Sequence, residues 1–131
     1  MIVDTSAVVA ILTDGPERGR MVDAILDAPS AVMSAATYLE LGVVVDRRAD
    51  PVLSRRLDEL LGALGVTVVD LTAGQAVLGR AAYRDFGKGG GHPARLNLGD
   101  CFAYALASER GEPLLFTGDD FGHTDVTSAL G

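Results

Sequence analysis

Short apolar runs alternate along this chain with longer stretches whose apolar residues recur every three or four positions. Met1–Val3 and Pro113–Phe116 are brief and apolar with acids close behind them, the pattern of buried parallel strands. Ala31–Ser34 and Val66–Leu71, bounded by turn residues, predict two more strands. Between the runs the period becomes helical. Met21, Val22, Ile25 and Leu26 follow Gly15-Pro16 at helical spacing. Leu53, Leu57, Leu60, Leu61 and Leu64 follow Asp50-Pro51, where Asp caps and Pro suits the first helical position. Thr72 and Gln75 spell a capping box for a helix reaching about Phe86. A last helix runs from about Asp100 to Arg110, with Gly111 placed to end it. Strands alternating with helices predict an α/β domain, a mainly parallel sheet flanked by helices, which presents ligands at the carboxyl ends of its strands.

Size agrees with one domain over residues 1–131. With 131 residues and 48% hydrophobic content the chain is long and apolar enough to bury a core. Its mean hydropathy of +0.26 excludes disorder. No apolar run approaches the roughly 18 residues of a membrane span, and the acid in Met1-Ile2-Val3-Asp4 argues against an export signal. The single cysteine, Cys101, excludes an intramolecular disulfide framework and fits a reducing cytoplasm. Beside Asp100 it reads as a small buried residue.

Charge complicates the picture. Eighteen acids against eleven Lys and Arg give a net charge of −7, a poor starting point for binding nucleic acid. Where the acids fall changes that. Asp4 follows the first strand and opens a helix at Thr5-Ser6-Ala7, so capping is its simplest duty. Glu40 follows the second strand, and Thr37-x-x-Glu40 is itself a capping-box pattern. Asp100 sits behind Asn97 at the start of the last long helix, and Asp119 and Asp120 follow the final strand. Each position has a local explanation. Together they place four or five carboxylates where a parallel sheet can bring them to one edge. Crowded carboxylates repel unless a cation intervenes, and an oxygen-only donor set suits Mg²⁺, with Mn²⁺ as a substitute. Such an ion activates water and neutralises phosphoryl charge, so the expected chemistry is metal-assisted phosphodiester hydrolysis.

Other carboxylate chemistries fit less well. A phosphatase with a strand-end Asp nucleophile needs a second Asp two residues on, where this chain has Ser6. A response regulator needs an acidic pair after its first strand, and only Asp4 stands there. There is no P-loop, G-x-G-x-x-G or G-x-S-x-G, and both histidines, His92 and His123, lie in loops.

Four segments resemble the PIN domain, and more narrowly the VapC-type toxins of bacterial toxin–antitoxin pairs. They are Val3-Asp4-Thr5-Ser6-Ala7, the Glu40 helix, Leu98-Gly99-Asp100-Cys101-Phe102-Ala103-Tyr104-Ala105, and Leu115-Phe116-Thr117-Gly118-Asp119-Asp120-Phe121. The resemblance spans essentially the whole chain. It implies a compact parallel-sheet fold and a Mg²⁺-dependent endoribonuclease with Asp4, Glu40, Asp100 and Asp119 as its acids. Asp4 and Asp100 would be the principal metal ligands, Asp120 an alternative fourth acid, and Thr5 or Ser6 a holder of a bound water or phosphate oxygen. It further implies a cognate antitoxin that occupies the site, often through an arginine, and a homodimer or toxin–antitoxin hetero-oligomer.

Arg84, Lys88, His92 and Arg95 bracket the run Gly87–Pro93, a glycine-rich stretch expected to form a mobile loop able to guide an RNA backbone. Aromatics make up only 5%, too few for extensive base stacking along a strand. A module of the same fold that binds RNA or a partner without turnover is the alternative.

Overall fold

The computed structural model describes residues 1–131. In chain order its elements are β1 (Ile2–Val3), α1 (Thr5–Leu12), α2 (Arg18–Asp27), β2 (Ala31–Ser34), α3 (Ala35–Asp46), α4 (Pro51–Leu64), β3 (Val66–Val69), α5 (Ala73–Phe86), α6 (Leu98–Arg110) and β4 (Leu114–Leu115). Tight 3-10 turns add Lys88–Gly90 and Phe121–His123.

All strand pairings are parallel, in the order β3-β2-β1-β4. The chain builds outward from β1 to β3 and then returns to lay β4 on the other side of β1. That reversal makes the β1/β4 boundary the switch point, where a parallel sheet opens a crevice at its carboxyl edge. Successive strand residues face opposite ways and so feed two cores. Val3, Ala31, Met33 and Leu115 pack with α1, α2 and α4 on one face; Ile2, Val32 and Leu114 pack with α6 on the other. The accessible surface of 6908 Å² is close to the roughly 6,600 Å² of a compact chain of this mass, so both cores are filled. The outer edge of β4 is closed by the C-terminal residues: Leu114 N–H donates to Thr127 O (2.8 Å) and Ala129 N–H to Leu114 O (2.9 Å).

The helix signals hold where one residue decides them. Asp50 Oδ1 accepts from the N–H groups of Val52 (2.9 Å) and Leu53 (3.4 Å), Pro51 fills the first turn, and Gly65 ends α4 with φ of 71°. Asp50→Ala should lower the unfolding free energy by about 1 kcal/mol, measured by denaturant titration. An unchanged midpoint would show that the cap contributes nothing.

Other expectations are corrected. The Thr37–Glu40 capping box does not form, because α3 starts earlier, where Ser34 Oγ accepts from Ala36 N–H at 3.2 Å. Glu40 is thereby placed inside α3 and freed from the backbone. The Thr72–Gln75 box is only half made: Thr72 caps the Gln75 N–H, but the Gln75 amide turns away to Glu109 on α6. The third strand ends at Val69, short of Leu71. The glycine-rich segment is tied rather than free. Lys88 N–H donates to Leu96 O, Leu96 N–H to Phe86 O (both 3.0 Å), and Ala94 and Leu96 are fully buried. His92 serves that anchoring: its Nδ1 accepts from Ala94 N–H (3.0 Å) and its ring meets Phe86 edge-on at 5.1 Å.

Candidate active site

Three of the carboxylates named from the sequence meet at the carboxyl edge of the sheet. Asp4, Glu40 and Asp100 line one open cleft of about 400 Å³, with Thr5, Ser6, Asn97 and Thr117 between them. Asp4 arrives from the end of β1, Glu40 from the second turn of α3, and Asp100 from the first turn of α6.

Each acid divides its two oxygens between structure and cleft. Asp4 Oδ2 caps α1, accepting from Ser6 N–H (3.0 Å) and Ser6 Oγ–H (2.7 Å). Its Oδ1 is buried without any partner. Asp100 Oδ2 accepts from Asn97 N–H (3.0 Å) while Asn97 Oδ1 accepts from Asp100 N–H (2.9 Å), a complete capping box that leaves the other Asp100 oxygen unpaired. Glu40 Oε1 accepts from the Thr5 hydroxyl at 2.6 Å. Its carboxylate lies over the backbone of Gly99, where any Cβ would collide with it. Capping and site duty are therefore carried by the same residues.

The cost of this arrangement shows in proton affinity. Asp4 is 3% exposed, and burial first, with repulsion from Glu40 as a lesser cause, pushes its pKa up to about 6. Asp100 is also pushed up to about 6, by burial first and then by the charges of Asp4, Asp120 and Glu40. The charge of Asp120 contributes to the raised pKa of Asp100, but Asp119 and Asp120 are both exposed and both lie outside the cleft wall.

No three acids stand close enough to enclose a metal ion by themselves. The donor set nevertheless suits a hard cation. Mg²⁺ retains several waters and needs only one or two carboxylates, and the orphaned Asp4 oxygen beside Asp100 offers those ligands.

The cleft also holds residues that the sequence did not point to. Thr117, two residues beyond β4, donates its N–H to Ser6 Oγ at 3.0 Å and locks the end of the last strand to the start of α1. Gly99 had no local signal beyond its place next to Asp100. The basic residues are less engaged. Arg84 is exposed and paired with Asp85 (3.0 Å), and Arg84, Lys88 and Arg95 all lie outside the cleft wall. Cys101 is buried, and burial raises its thiol pKa to about 11, so it is an inert packing residue.

A parallel α/β sheet with an acidic crevice at its switch point defines the class of protein. The PIN domain family model matches residues 1–126. The chain is 55% identical over 130 residues to ribonuclease VapC28 of Mycobacterium tuberculosis, covering 99% of this chain and 98% of that protein. It is 48% identical over 128 residues to ribonuclease VapC of Mycolicibacterium smegmatis, covering 98% of each. The chain belongs to the PIN-domain family and, within it, to the VapC ribonucleases of toxin–antitoxin systems. Solved structures share the fold at low identity. VapC20 of M. tuberculosis, a sarcin–ricin loop cleaving toxin, matches with a TM-score of 0.72 and 18% identity over 96% of this chain and 95% of that one. VapBC2 of Rickettsia felis, bound to a promoter DNA fragment, matches with a TM-score of 0.75 and 12% identity over 97% and 94%.

Proposed function

We propose that the protein is a Mg²⁺-dependent endoribonuclease, the toxin of a type II toxin–antitoxin pair acting in the cytoplasm. The observation that carries this is the unpartnered, buried Oδ1 of Asp4 in a cleft shared with Glu40 and Asp100. An oxygen held there without a donor is costly unless a cation meets it.

Asp4 and Asp100 would hold the ion, Mg²⁺ or Mn²⁺, which supplies neutralisation of phosphoryl charge and a water of lowered pKa. Ser6 fixes the Asp4 carboxylate by two hydrogen bonds and is itself fixed by Thr117. Thr5 clamps one oxygen of Glu40 and leaves the other to orient the attacking water and take its proton. Asp119 or Asp120 would add negative charge at the rim, and the charge of Asp120 already acts on Asp100. Lys88 and Arg95, and Arg84 where Asp85 releases it, meet the RNA backbone away from the scissile bond. A cognate antitoxin would silence the cleft most simply with a cationic side chain. Each bound divalent ion offsets two of the seven net negative charges, so metal-free protein should repel RNA at this site.

The test is Asp100→Asn, which keeps an acceptor for the Asn97 N–H and so preserves the helix cap. RNA ends mapped after incubation in Mg²⁺ should show cleavage reduced by at least about 10²-fold against an unchanged circular dichroism spectrum. Wild-type-like cleavage by this variant would reject the role. RNA binding by the wild type without cutting, in both Mg²⁺ and Mn²⁺, would favour a non-catalytic binding module instead.

A further inference from the structure

We infer that Asn97, beyond capping α6, donates its side-chain N–H groups to a non-bridging oxygen of the RNA phosphate that enters the acid cleft. The inference rests on the ribonuclease reading and adds to it an uncharged substrate-binding residue. The cleft poses a problem of charge: its walls bring three carboxylates and no Lys, Arg or His to a substrate that is itself an anion. A phosphate that reaches the acids therefore needs, besides a cation, neutral donors built into the cleft.

Few such donors are free. The Thr5 hydroxyl donates to Glu40 (2.6 Å) and the Ser6 hydroxyl to Asp4 (2.7 Å), so both are committed to the acids. That leaves the Thr117 hydroxyl, a rotor, and the Asn97 amide, whose direction is set. Asp100 N–H donates to Asn97 Oδ1 at 2.9 Å. A backbone N–H only donates, so this bond settles which end of the amide is oxygen. The reciprocal bond, from Asn97 N–H to Asp100 Oδ2 at 3.0 Å, holds the backbone beside it. With both made, the side chain has one polar group left. Nδ2 carries two N–H donors on an exposed residue of the cleft wall, and no other lining side chain carries an N–H.

The surroundings favour an anion at this place. Leu98 and Gly99 occupy the first turn of the 13-residue α6, where backbone N–H groups have no intrahelical acceptor and the helix dipole is positive. The capping box also ties the donor to Asp100. A phosphate oxygen held by Nδ2 is thereby fixed relative to the carboxylate that would hold the ion. Charge that grows on that oxygen during hydrolysis strengthens the hydrogen bond, so the contact acts on the chemical step.

Two substitutions separate the donor from the cap. Asn97→Asp keeps the shape and the acceptor for Asp100 N–H and removes both N–H groups; Asn97→Ser keeps a cap of similar rank without adding charge. Both variants should retain the wild-type melting temperature and lower kcat for RNA cleavage in Mg²⁺ by about 10- to 100-fold, with a smaller change in KM. A second readout needs no cleavage. Dimethyl phosphate, a minimal phosphodiester, is titrated with Mg²⁺ to millimolar concentration into the isotope-labelled full chain and followed by NMR. The Asn97 Nδ2 resonances should shift together with the Gly99 amide, and the Gly99 shift should need about tenfold more ligand in Asn97→Ser. Wild-type protein that cuts RNA while both folded variants cut equally well would overturn the inference and leave the ribonuclease reading standing. Wild-type protein that never cuts would overturn that reading, and the titration then decides the Asn97 contact alone. Nδ2 resonances that stay in place, whether or not Gly99 moves, would also overturn it.

Discussion

Asp4→Asn should abolish Mg²⁺-dependent RNA cleavage and at the same time make the metal-free protein more stable. The two effects share one cause. The Asp4 carboxylate is buried, and one of its oxygens has no partner, so the charged form is disfavoured and the pKa rises from 3.8 to about 6. Below pH 4 the group is protonated whether the chain is folded or not, and its linkage contribution is fully present. Between about 4 and 6 only the folded state keeps the proton, so this contribution is lost as pH rises through that window. Above it the penalty in the metal-free protein reaches about 3 kcal/mol as an upper bound. Asparagine carries no charge and still offers an acceptor to Ser6 N–H. Denaturant unfolding at pH 8 in chelator should therefore give a gain of about 1–3 kcal/mol, shrinking toward pH 4. Mg²⁺ should raise the stability of the wild type and not of the variant, since only a ligand that binds the native state shifts the equilibrium. A variant less stable than wild type in chelator, or one that still cuts RNA, would refute the assignment.

Gly99→Ala should cost more activity than its size suggests. Alanine normally stabilises a helix relative to glycine by about 1 kcal/mol, and Gly99 lies within α6. Its Cβ, however, would occupy the space of the Glu40 carboxylate. Glu40 must swing out, breaking its bond from Thr5 and leaving the cleft. Misplacement of a reacting group by about 1 Å costs on the order of 10²-fold in rate, and this displacement is at least as large. Cleavage should fall by that factor or more with little change in melting temperature. The double variant Glu40→Ala/Gly99→Ala separates geometry from chemistry. If the glycine acts only through Glu40, the second substitution adds no further loss to that of Glu40→Ala alone. Independent, multiplying losses would mean that Gly99 acts through something else.

Much of the site was legible as residue types and positions. Asp4 and Asp100 were visible because a strand end and a helix start leave short polar signals, and the same hydrogen bonds that make them caps hold them in the cleft. Glu40 was visible from its place just after the second strand, and the competing reading of Thr37-x-x-Glu40 as a helix cap falls away because Ser34 supplies the cap. The glycine-rich segment was misjudged. Composition registers the freedom of glycine but not Leu96 and Ala94, which the core holds down from the far side of the loop.

By itself the sequence determined the alternation of elements, their main caps, the α/β class and the inventory of oxygen donors. These follow from local rules: a period of two or of three to four, a capping side chain, a glycine free to adopt positive φ. Only the tertiary structure decided that Thr5 clamps Glu40, that Ser6 joins Thr117 and that Gly99 makes room for a carboxylate. Those relations join residues between 35 and 111 positions apart. They exist because the parallel order β3-β2-β1-β4 brings the ends of β2, β1 and β4 to one edge of the sheet.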